Sequence, residues 1–340
     1  MASLYGVDAP LSRRRFLKTA FCSSAALSLN VRSGAVTQTT SSKDIHLLML
    51  GDFGSGLPAQ AQVAATMCDY TTKLAINPSW LMLLGDNFYH NAALGGGITD
   101  QRWESGFEKM YPKETFPCPC PAILGNHDYH DSVDGPNKQL AYPKTRATRW
   151  TMPAKWYRLG IGDKATFLFI DTNLQSVSGR INPKKPGERL PCLTREEEEA
   201  QWAWIRAQLA SERKGFTFVV GHHPVYSNGA HGDSPELVDK LAPLLENAGV
   251  HWYIAGHDHD LQHLELENLK TSYVISGGGG ANCRPLKNLT RHVPFAEPTY
   301  GFSHIQLGSH ACTIRHLNSH GEQVHAVLKE LNHNWHVISS

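Results

Sequence analysis

Short runs of mostly apolar residues recur along the chain, and each run ends in a polar loop that contains glycine. The runs lie at 45–50, 80–84, 122–124, 216–220 and 252–255. Apolar residues occupy consecutive positions in them rather than every second position, which indicates strands buried on both faces of sheets that helices cover. The pattern therefore predicts an α/β fold in which polar loops follow the carboxyl ends of buried strands.

Two intervening segments have the features of helices. Residues 57–74 are rich in alanine, and residues 195–211 follow Thr194, a candidate N-cap with Glu197 three residues later. This spacing is that of a capping box. Apolar residues then recur at helical spacing, at Trp202, Ile205 and Leu209. We expect these side chains to face the core, and the acidic run at 196–199 to interact with the helix dipole and solvent rather than with a metal.

Two longer segments, 91–97 and 175–192, follow strand-end signals and are expected to form the rims of a cleft. No break in the pattern divides residues 44–315, so a single domain is the simplest prediction for them. The C-terminal residues 316–340 are expected to pack on this domain or to extend it.

The N-terminal residues 1–40 have the layout of an export signal. Residues 12–18 are Ser-Arg-Arg-Arg-Phe-Leu-Lys, and a short apolar stretch at 19–29 precedes small and polar residues. This order is typical of a twin-arginine signal and linker, with cleavage near 33–40, and its alternative is the start of a basic amphipathic helix. The stretch is too short and too rich in serine for a stable membrane anchor. We therefore predict export to the periplasm or the extracellular space.

The overall charge argues against two classes of partner. The chain has 340 residues with 32 basic and 31 acidic side chains, and its formal net charge is +1. No global field would draw it to nucleic acid or to anionic lipid, so selectivity must come from a local site. Histidine is unusually frequent, at 19 residues, and several histidines lie beside Asp, Asn or Gly at the ends of the apolar runs. Imidazole in such motifs serves as a metal ligand or a proton carrier.

The chain has seven cysteines, and loss of Cys22 with the signal would leave an even number. Even parity suits disulfides in an oxidising compartment. Cys118 and Cys120 are too close for an easy mutual bridge, and no second C-x-x-C accompanies them as a zinc knuckle would require. We expect the cysteines to be structural.

Five short motifs at the predicted strand ends carry the candidate chemistry. They are Gly51-Asp52-Phe53-Gly54, Gly85-Asp86-Asn87-Phe88-Tyr89, Gly125-Asn126-His127-Asp128, Gly221-His222-His223-Pro224 and Gly256-His257-Asp258-His259. A carboxylate beside glycine at a sharp turn can bind a hard cation, although a lone Gly-Asp pair is more often an ordinary turn residue. Asparagine offers a neutral oxygen ligand, and two histidines spaced by two residues project from the same side of an extended chain. Together the five motifs indicate a site for two metal ions.

The motif series resembles the calcineurin-like metallophosphoesterase superfamily, and within it the purple acid phosphatases of the small tartrate-resistant type. The likeness covers about 44–307 and includes segments outside the motifs, such as 155–159 and 169–172. Tyr89, three residues after Asp86, singles out the purple branch. The Asp-Arg-Gly and Gly-Asn-His-Glu motifs expected of related protein phosphatases do not occur at the second and third motifs.

This resemblance implies a four-layer α/β/β/α sandwich of two mixed sheets flanked by helices, with the metal site at the carboxyl ends of the strands. The implied ligands are Asp52, Tyr89 and His259 for one Fe(III), Asn126, His222 and His257 for one divalent ion (Fe, Zn or Mn), and Asp86 as the bridge between both. The division agrees with the preference of a trivalent ion for anionic oxygen and of these divalent ions for neutral amide and imidazole.

The resemblance also implies two histidines that face the substrate, His127 and His231, as general acid or phosphate donor. His223 stands where close relatives often have tyrosine, and we expect it beside the ligands or at the rim. The implied activity is that of an exported acid phosphatase, which hydrolyses phosphomonoesters among phosphorylated small molecules with a metal-activated hydroxide. Two alternatives remain: a phosphodiesterase or nucleotide hydrolase on the same scaffold, and an exported metal-binding protein without catalysis. The presence of both His127 and His231 disfavours the metal-binding protein without catalysis.

Overall fold

The computed structural model describes residues 44–94 and 96–339. The predicted export signal and linker at 1–40 lie outside the described residues. Among the helices of the described part, none is both long enough and apolar enough to cross a membrane.

Fifteen strands and seven α-helices form the described part of the chain. The strands are β1 (Ile45–Leu50), β2 (Trp80–Leu83), β3 (Cys120–Pro121), β4 (Trp150–Thr151), β5 (Tyr157–Ile161), β6 (Ala165–Phe169), β7 (Phe216–Val220), β8 (Trp252–Ala255), β9 (Leu261–Leu264), β10 (Ser272–Ser276), β11 (Phe295–Glu297), β12 (Gly301–Leu307), β13 (Ala311–Asn318), β14 (Gln323–Glu330) and β15 (Trp335–Ser339). The helices are α1 (Pro58–Lys73), α2 (Asp100–Trp103), α3 (Asn126–His130), α4 (Gly135–Thr145), α5 (Arg195–Ala210), α6 (Pro235–Lys240) and α7 (Ala242–Asn247), with a 3₁₀ turn at Ala92–Leu94 and a π turn at Glu104–Glu108.

Two large sheets organise the strands. The six-stranded sheet has the order β15-β14-β13-β12-β1-β2, in which only β1 and β2 are parallel. The seven-stranded sheet has the order β11-β9-β10-β8-β7-β6-β5, in which β10, β8, β7 and β6 run parallel. A short parallel pair, β3 and β4, stands beside them. Residues after 318 thus supply the last two strands of the six-stranded sheet.

Alternate residues of β1 belong to two different hydrophobic cores. Leu47 lies in the core between the sheets with Phe218, whereas Leu48 lies in the core between sheet and helices with Val63 of α1. All four side chains are fully buried, at 0% exposure. A strand buried on both faces needs a continuous apolar sequence, which explains the pattern of the runs. The predicted four-layer sandwich of two mixed sheets flanked by helices is confirmed.

Both predicted helices are confirmed as α1 and α5, and α5 begins with the predicted capping box. The Thr194 hydroxyl accepts a hydrogen bond from the Glu197 amide at 3.2 Å, and the Glu197 carboxylate accepts one from the Thr194 amide at 3.0 Å. Ile205 and Leu209 are buried, and Trp202 packs half-buried at the edge of the same core. The acidic first turn therefore caps the helix, as its sequence indicates.

The cysteines of the described part form no disulfide, in contrast to the expectation from their even number. Cys118, Cys120 and Cys312 are buried in the two cores. Burial raises the pKa of each of these three thiols. They pack as small apolar residues, because apolar side chains of the two cores surround them.

Candidate metal centre

The loops that carry the five motifs follow strands of both sheets and meet at one edge. Two hydrogen bonds join them across the sheets. The His257 amide donates to Oδ2 of Asp52 at 2.8 Å, and Nδ1 of His222 donates to the Leu84 carbonyl at 2.8 Å. The face-to-face packing of the sheets thus brings together motifs that are about two hundred residues apart in the chain.

Three of the predicted ligands have a left-handed backbone. The φ angles are 59° at Asp52, 52° at Asp86 and 70° at His257. Such a conformation costs a residue other than glycine roughly 1 kcal/mol or more and persists only where surrounding contacts enforce it. Here the Asp52 amide donates to the Gly85 carbonyl at 3.0 Å, and the Gly54 amide donates to the Asp86 carbonyl at 3.2 Å. Strained backbone of this kind is concentrated at functional sites.

Asp86 lies between two groups of candidate ligands. Its Oδ2 is 3.0 Å from the Tyr89 hydroxyl, which is also 3.1 Å from Oδ1 of Asp52 and 3.2 Å from Nε2 of His259. Its Oδ1 is 3.4 Å from Nε2 of His222. Asp52, Asp86 and His222 are buried, and one ligand atom of each lies within 4.8 Å of the others. One carboxylate therefore faces both groups, as a bridging ligand must.

Backbone carbonyls orient two of the imidazoles. A carbonyl can only accept, so the contacts of 2.8 Å from His222 Nδ1 to Leu84 and from His259 Nδ1 to Asn282 place the proton on Nδ1. Nε2 of each ring then points toward a carboxylate, at 3.4 Å from Asp86 for His222 and 3.5 Å from Asp52 for His259. This arrangement is typical of metal-ligating histidines.

Two buried atoms of the candidate ligands lack a well-formed hydrogen bond in the described part of the chain: Oδ1 of Asn126, and Nε2 of His222, which reaches Asp86 only at 3.4 Å. A buried polar atom left without a good partner costs about 1–3 kcal/mol, so folded proteins rarely retain one without a reason. An amide oxygen, and an imidazole nitrogen that can give up its proton beside a carboxylate, fit a divalent cation of the Fe, Zn or Mn type. The residues present therefore suit a metal.

The buried negative charges of the site also favour a bound cation. Burial lowers the pKa of His222, but the charges of Asp86 and Asp52 outweigh it and raise that pKa to about 10. Burial and the same two carboxylates raise the pKa of Tyr89 well above its usual value. Burial and the neighbouring imidazoles hold the pKa of His257 far below its usual value, which keeps this ring neutral. Protons thus occupy positions that a cation would take over.

A cavity of about 510 Å³ opens above the carboxylates. Its floor includes Asp86, Asn126, His257 and His259. Part of its wall comes from Ser176, Val177, Ser178 and Arg180, so the first part of the predicted rim at 175–192 is confirmed. The other predicted rim, 91–97, is wrong, because none of its described residues lines the cavity. That segment instead turns back on itself through Asn91 and Gly96, and Asn91 Nδ2 binds the Ser55 carbonyl at 3.0 Å.

Both histidines predicted to face the substrate line this cavity. Nδ1 of His127 is 2.7 Å from the Asp131 carboxylate, and the His127 amide donates to Oδ1 of Asp86 at 2.8 Å. Nδ1 of His231 is 2.8 Å from Oδ1 of Asp258, and its ring stacks on His257 with centroids 4.0 Å apart. In each case a carboxylate holds the far side of the imidazole.

His223 lies beside the candidate ligands, with its ring centroid 4.4 Å from that of His257. The Thr172 hydroxyl contacts both its amide nitrogen, at 2.8 Å, and its Nδ1, at 2.9 Å. The Tyr253 hydroxyl donates to its carbonyl at 2.7 Å. These contacts fix a buried ring that forms part of the cavity wall.

The chain also matches a family of known proteins. A family model described as calcineurin-like phosphoesterase matches residues 44–261, which is more than half of the chain. The chain belongs to this family. Tartrate-resistant acid phosphatase type 5 of Homo sapiens is 30% identical over 303 residues, covering 82% of this chain and 89% of the relative. Purple acid phosphatase 7 of Arabidopsis thaliana is 32% identical over 263 residues, covering 76% and 77%.

A solved structure extends the likeness to the fold of this phosphoesterase. GAP50, described as the anchor in the inner membrane complex of Plasmodium, superposes with a TM-score of 0.67 at 24% identity, covering 84% of this chain and 88% of that chain. The predicted membership in the metallophosphoesterases, with acid phosphatases of the purple type as relatives, is confirmed. The chain is a purple acid phosphatase-like metallophosphoesterase.

Several residues of the phosphoesterase site were not predicted from the sequence. Asp128 and Asp258 lie inside quoted motifs, yet only the structure shows that Asp128 binds the backbone beside Asp86 and that Asp258 orients His231. Their position next to a candidate histidine was the available signal. Arg284 contacts Nε2 of His231 at 2.9 Å and follows a glycine-rich segment that carries no motif. Nothing in the sequence pattern marks it.

Proposed function

We propose that this protein is an exported acid phosphatase that hydrolyses phosphomonoesters at a centre of two metal ions. The observation that carries the proposal is the position of Asp86, with one carboxylate oxygen toward Tyr89 and the other toward His222. A mononuclear or structural site would not need a carboxylate shared in this way. The acid phosphatases among the relatives agree with the proposal.

The proposed ligands fall into two groups around this carboxylate. Asp52, Tyr89 and His259 would hold Fe(III), Asn126, His222 and His257 would hold a divalent Fe, Zn or Mn ion, and Asp86 would bind both. The Tyr89 contacts with two carboxylates support the first group, since phenolate and carboxylate oxygens suit a trivalent ion. The Asn126 oxygen and the His222 nitrogen, which lack well-formed hydrogen bonds in the described part of the chain, support the second.

The ions, when bound, would neutralise charge on the phosphoryl group and acidify the attacking water. The chain's own part is to position the ester. His127, held by Asp131, presents its free ring nitrogen to the cavity and can donate to a phosphoryl oxygen. His231, held by Asp258, can meet the leaving-group oxygen and supply its proton.

A non-catalytic role is the main alternative from another class, since GAP50 is described as an anchor on a similar fold. Two features of this chain favour catalysis. His127 and His231 face the cavity and are not among the proposed ligands, yet each is fixed by its own buried or half-buried carboxylate. Such support positions an imidazole for proton transfer and would serve no purpose in metal storage.

The decisive experiment combines metal analysis with hydrolysis of p-nitrophenyl phosphate and bis-p-nitrophenyl phosphate across pH 4 to 8. We expect about two metal ions per chain, faster turnover of the monoester, and activity that persists at mildly acidic pH because Fe(III) acidifies its water strongly. Faster turnover of the diester would replace the proposal with a phosphodiesterase. No turnover of either ester by protein that holds two ions would favour the metal-binding alternative.

Replacement of Tyr89 by phenylalanine tests the trivalent iron. The wild-type protein with iron should absorb visible light through charge transfer from the tyrosinate to Fe(III), and Tyr89→Phe should lose this band because no phenolate remains. Tyr142→Phe is the matched control, since the Tyr142 hydroxyl binds Glu108 outside the site. Visible spectroscopy of oxidised, iron-loaded proteins is the measurement. A band that survives in Tyr89→Phe would contradict the assignment of this residue.

A further inference from the structure

Two arginines from different loops line the cavity, Arg284 and Arg180. Arg180 belongs to the rim at 175–192 and is exposed, and its guanidinium has no hydrogen bond or ion pair within 44–94 and 96–339. Arg284 is half-buried and donates from Nη1 to Nε2 of His231 at 2.9 Å. Neither guanidinium is used by an acidic side chain of the described part of the protein.

The acidic residues of the same wall are mostly neutralised by other partners. Arg291 binds both carboxylate oxygens of Asp233, at 2.8 and 2.6 Å, and Lys240 pairs with Glu236. Asp239 remains, and its side chain is exposed to solvent at the outer edge. The two guanidinium groups, which pair with no carboxylate in the described part of the chain, therefore make this part of the cavity attractive to anions.

The bond from Arg284 occupies the nitrogen of His231 that would meet a leaving group. Asp258 accepts the proton on Nδ1 of His231, so Nε2 is the acceptor of the Arg284 bond and can take up the proton for a leaving group only after Arg284 has withdrawn. A substrate whose leaving group contacts Nε2 must displace the Arg284 hydrogen bond from this nitrogen. Arg284 then needs a new acceptor. A second anionic group on the leaving-group part would provide one, because the guanidinium fork matches the two oxygens of an oxyanion.

We propose that Arg284, with Arg180, recognises a second oxyanion group on the leaving-group part of the phosphomonoester. The preferred substrates are then phosphomonoesters that carry a carboxylate or a further phosphate in addition to the reacting group. This inference rests on the proposed function for its reaction and adds to it a substrate class. It assigns Arg284 a binding contact with the substrate, separate from the proposed metal ligands.

A matched pair of substrates tests the inference, 4-carboxyphenyl phosphate and its neutral amide analogue, 4-carbamoylphenyl phosphate. The two leaving groups are similar in size and differ in one negative charge, and any difference in their intrinsic reactivity is the same for every variant. We expect the metal-loaded protein to prefer the carboxylate in kcat/KM, and Arg284→Gln to reduce this preference by about tenfold, as loss of one charge-assisted hydrogen-bonded contact does. Use of the ratio cancels any effect of the substitution on His231 that both substrates share.

Arg206→Gln is the control, because it removes the same charge from an exposed position on α5 outside the cavity. It should leave the ratio of kcat/KM for the carboxylate to that for the amide unchanged. Arg284→Lys should restore part of the preference for the carboxylate that Arg284→Gln loses. Added salt should weaken the wild-type preference, since the contact is partly exposed. A ratio in Arg284→Gln equal to that of the wild type overturns the inference.

A binding measurement distinguishes failure of this inference from failure of the proposed function. Calorimetric titration of the metal-loaded protein with 4-carboxybenzylphosphonate and 4-carbamoylbenzylphosphonate needs no turnover. A preference for the carboxylate that depends on Arg284 supports the recognition even if no ester is hydrolysed, in which case only the proposed function fails. Equal affinity for the two phosphonates in the wild type rejects the recognition, whatever the rate of hydrolysis.

Discussion

Replacement of Asp86 by asparagine is expected to lower phosphomonoester hydrolysis by at least about a thousandfold, since the shared carboxylate neutralises and positions both ions. Asparagine keeps the size of the side chain and removes the charge. In the structure Asp86 alone among the described ligand candidates faces both Tyr89 and His222, at 3.0 and 3.4 Å. We therefore expect the metal content to fall from two ions to one or none.

Metal analysis and kcat/KM of the same preparation measure this effect. Asp163→Asn is the matched control, because its side chain is 82% exposed and pairs only with Lys214 at the surface. It should change activity by less than about twofold, as surface substitutions usually do. If Asp86→Asn retained two ions and wild-type turnover, Asp86 could not be the bridging ligand.

Replacement of Asp128 by alanine is expected to destabilise the protein by about 4 kcal/mol. The Asp128 carboxylate is fully buried and accepts hydrogen bonds from the amides of Gly125, Asn87 and Phe88 at 2.8, 3.0 and 3.1 Å. Gln139 Nε2 donates to it as well, at 2.7 Å. Alanine would leave these donors buried without an acceptor, and each unpaired donor costs about 1–3 kcal/mol before the structure relaxes.

The same substitution should weaken metal binding, because the three amides belong to the loops of Asp86 and Asn126. Close packing shows how little these loops can move: a Cβ on Gly125 would lie 2.2 Å from Oδ1 of Asp86. Urea unfolding and metal analysis are the measurements. Asp69→Ala, at an exposed position of α1, is the control and should alter stability by no more than about 0.5 kcal/mol.

If Asp128→Ala does not fold, Asp128→Asn provides the measurement. Asparagine keeps one oxygen acceptor and adds donors opposite the backbone amides, so a smaller destabilisation of about 2 kcal/mol is expected. Wild-type stability in either variant would show that the buried carboxylate does not hold the two loops together.

Much of the fold could be predicted because its signals are local. The continuous apolar runs predicted strands such as β1 and β7, and the Thr194–Glu197 spacing predicted the start of α5. The motif order and the position of Tyr89 three residues after Asp86 were sufficient to predict the family. The loop at 91–97 and the cysteines were less predictable, since partners distant in sequence decide whether a loop reaches a cleft or a thiol meets another.

The amino-acid sequence by itself determined which residues follow buried strands, because strand burial and helix capping depend on side chains a few positions apart. The tertiary structure alone decided how those residues function together. Leu84 orients His222 across 138 positions of the chain, and Arg284 reaches His231 across 53. Contacts of this length arise only when strands distant in the chain pair or pack and bring their loops to one edge, so no local pattern encodes them.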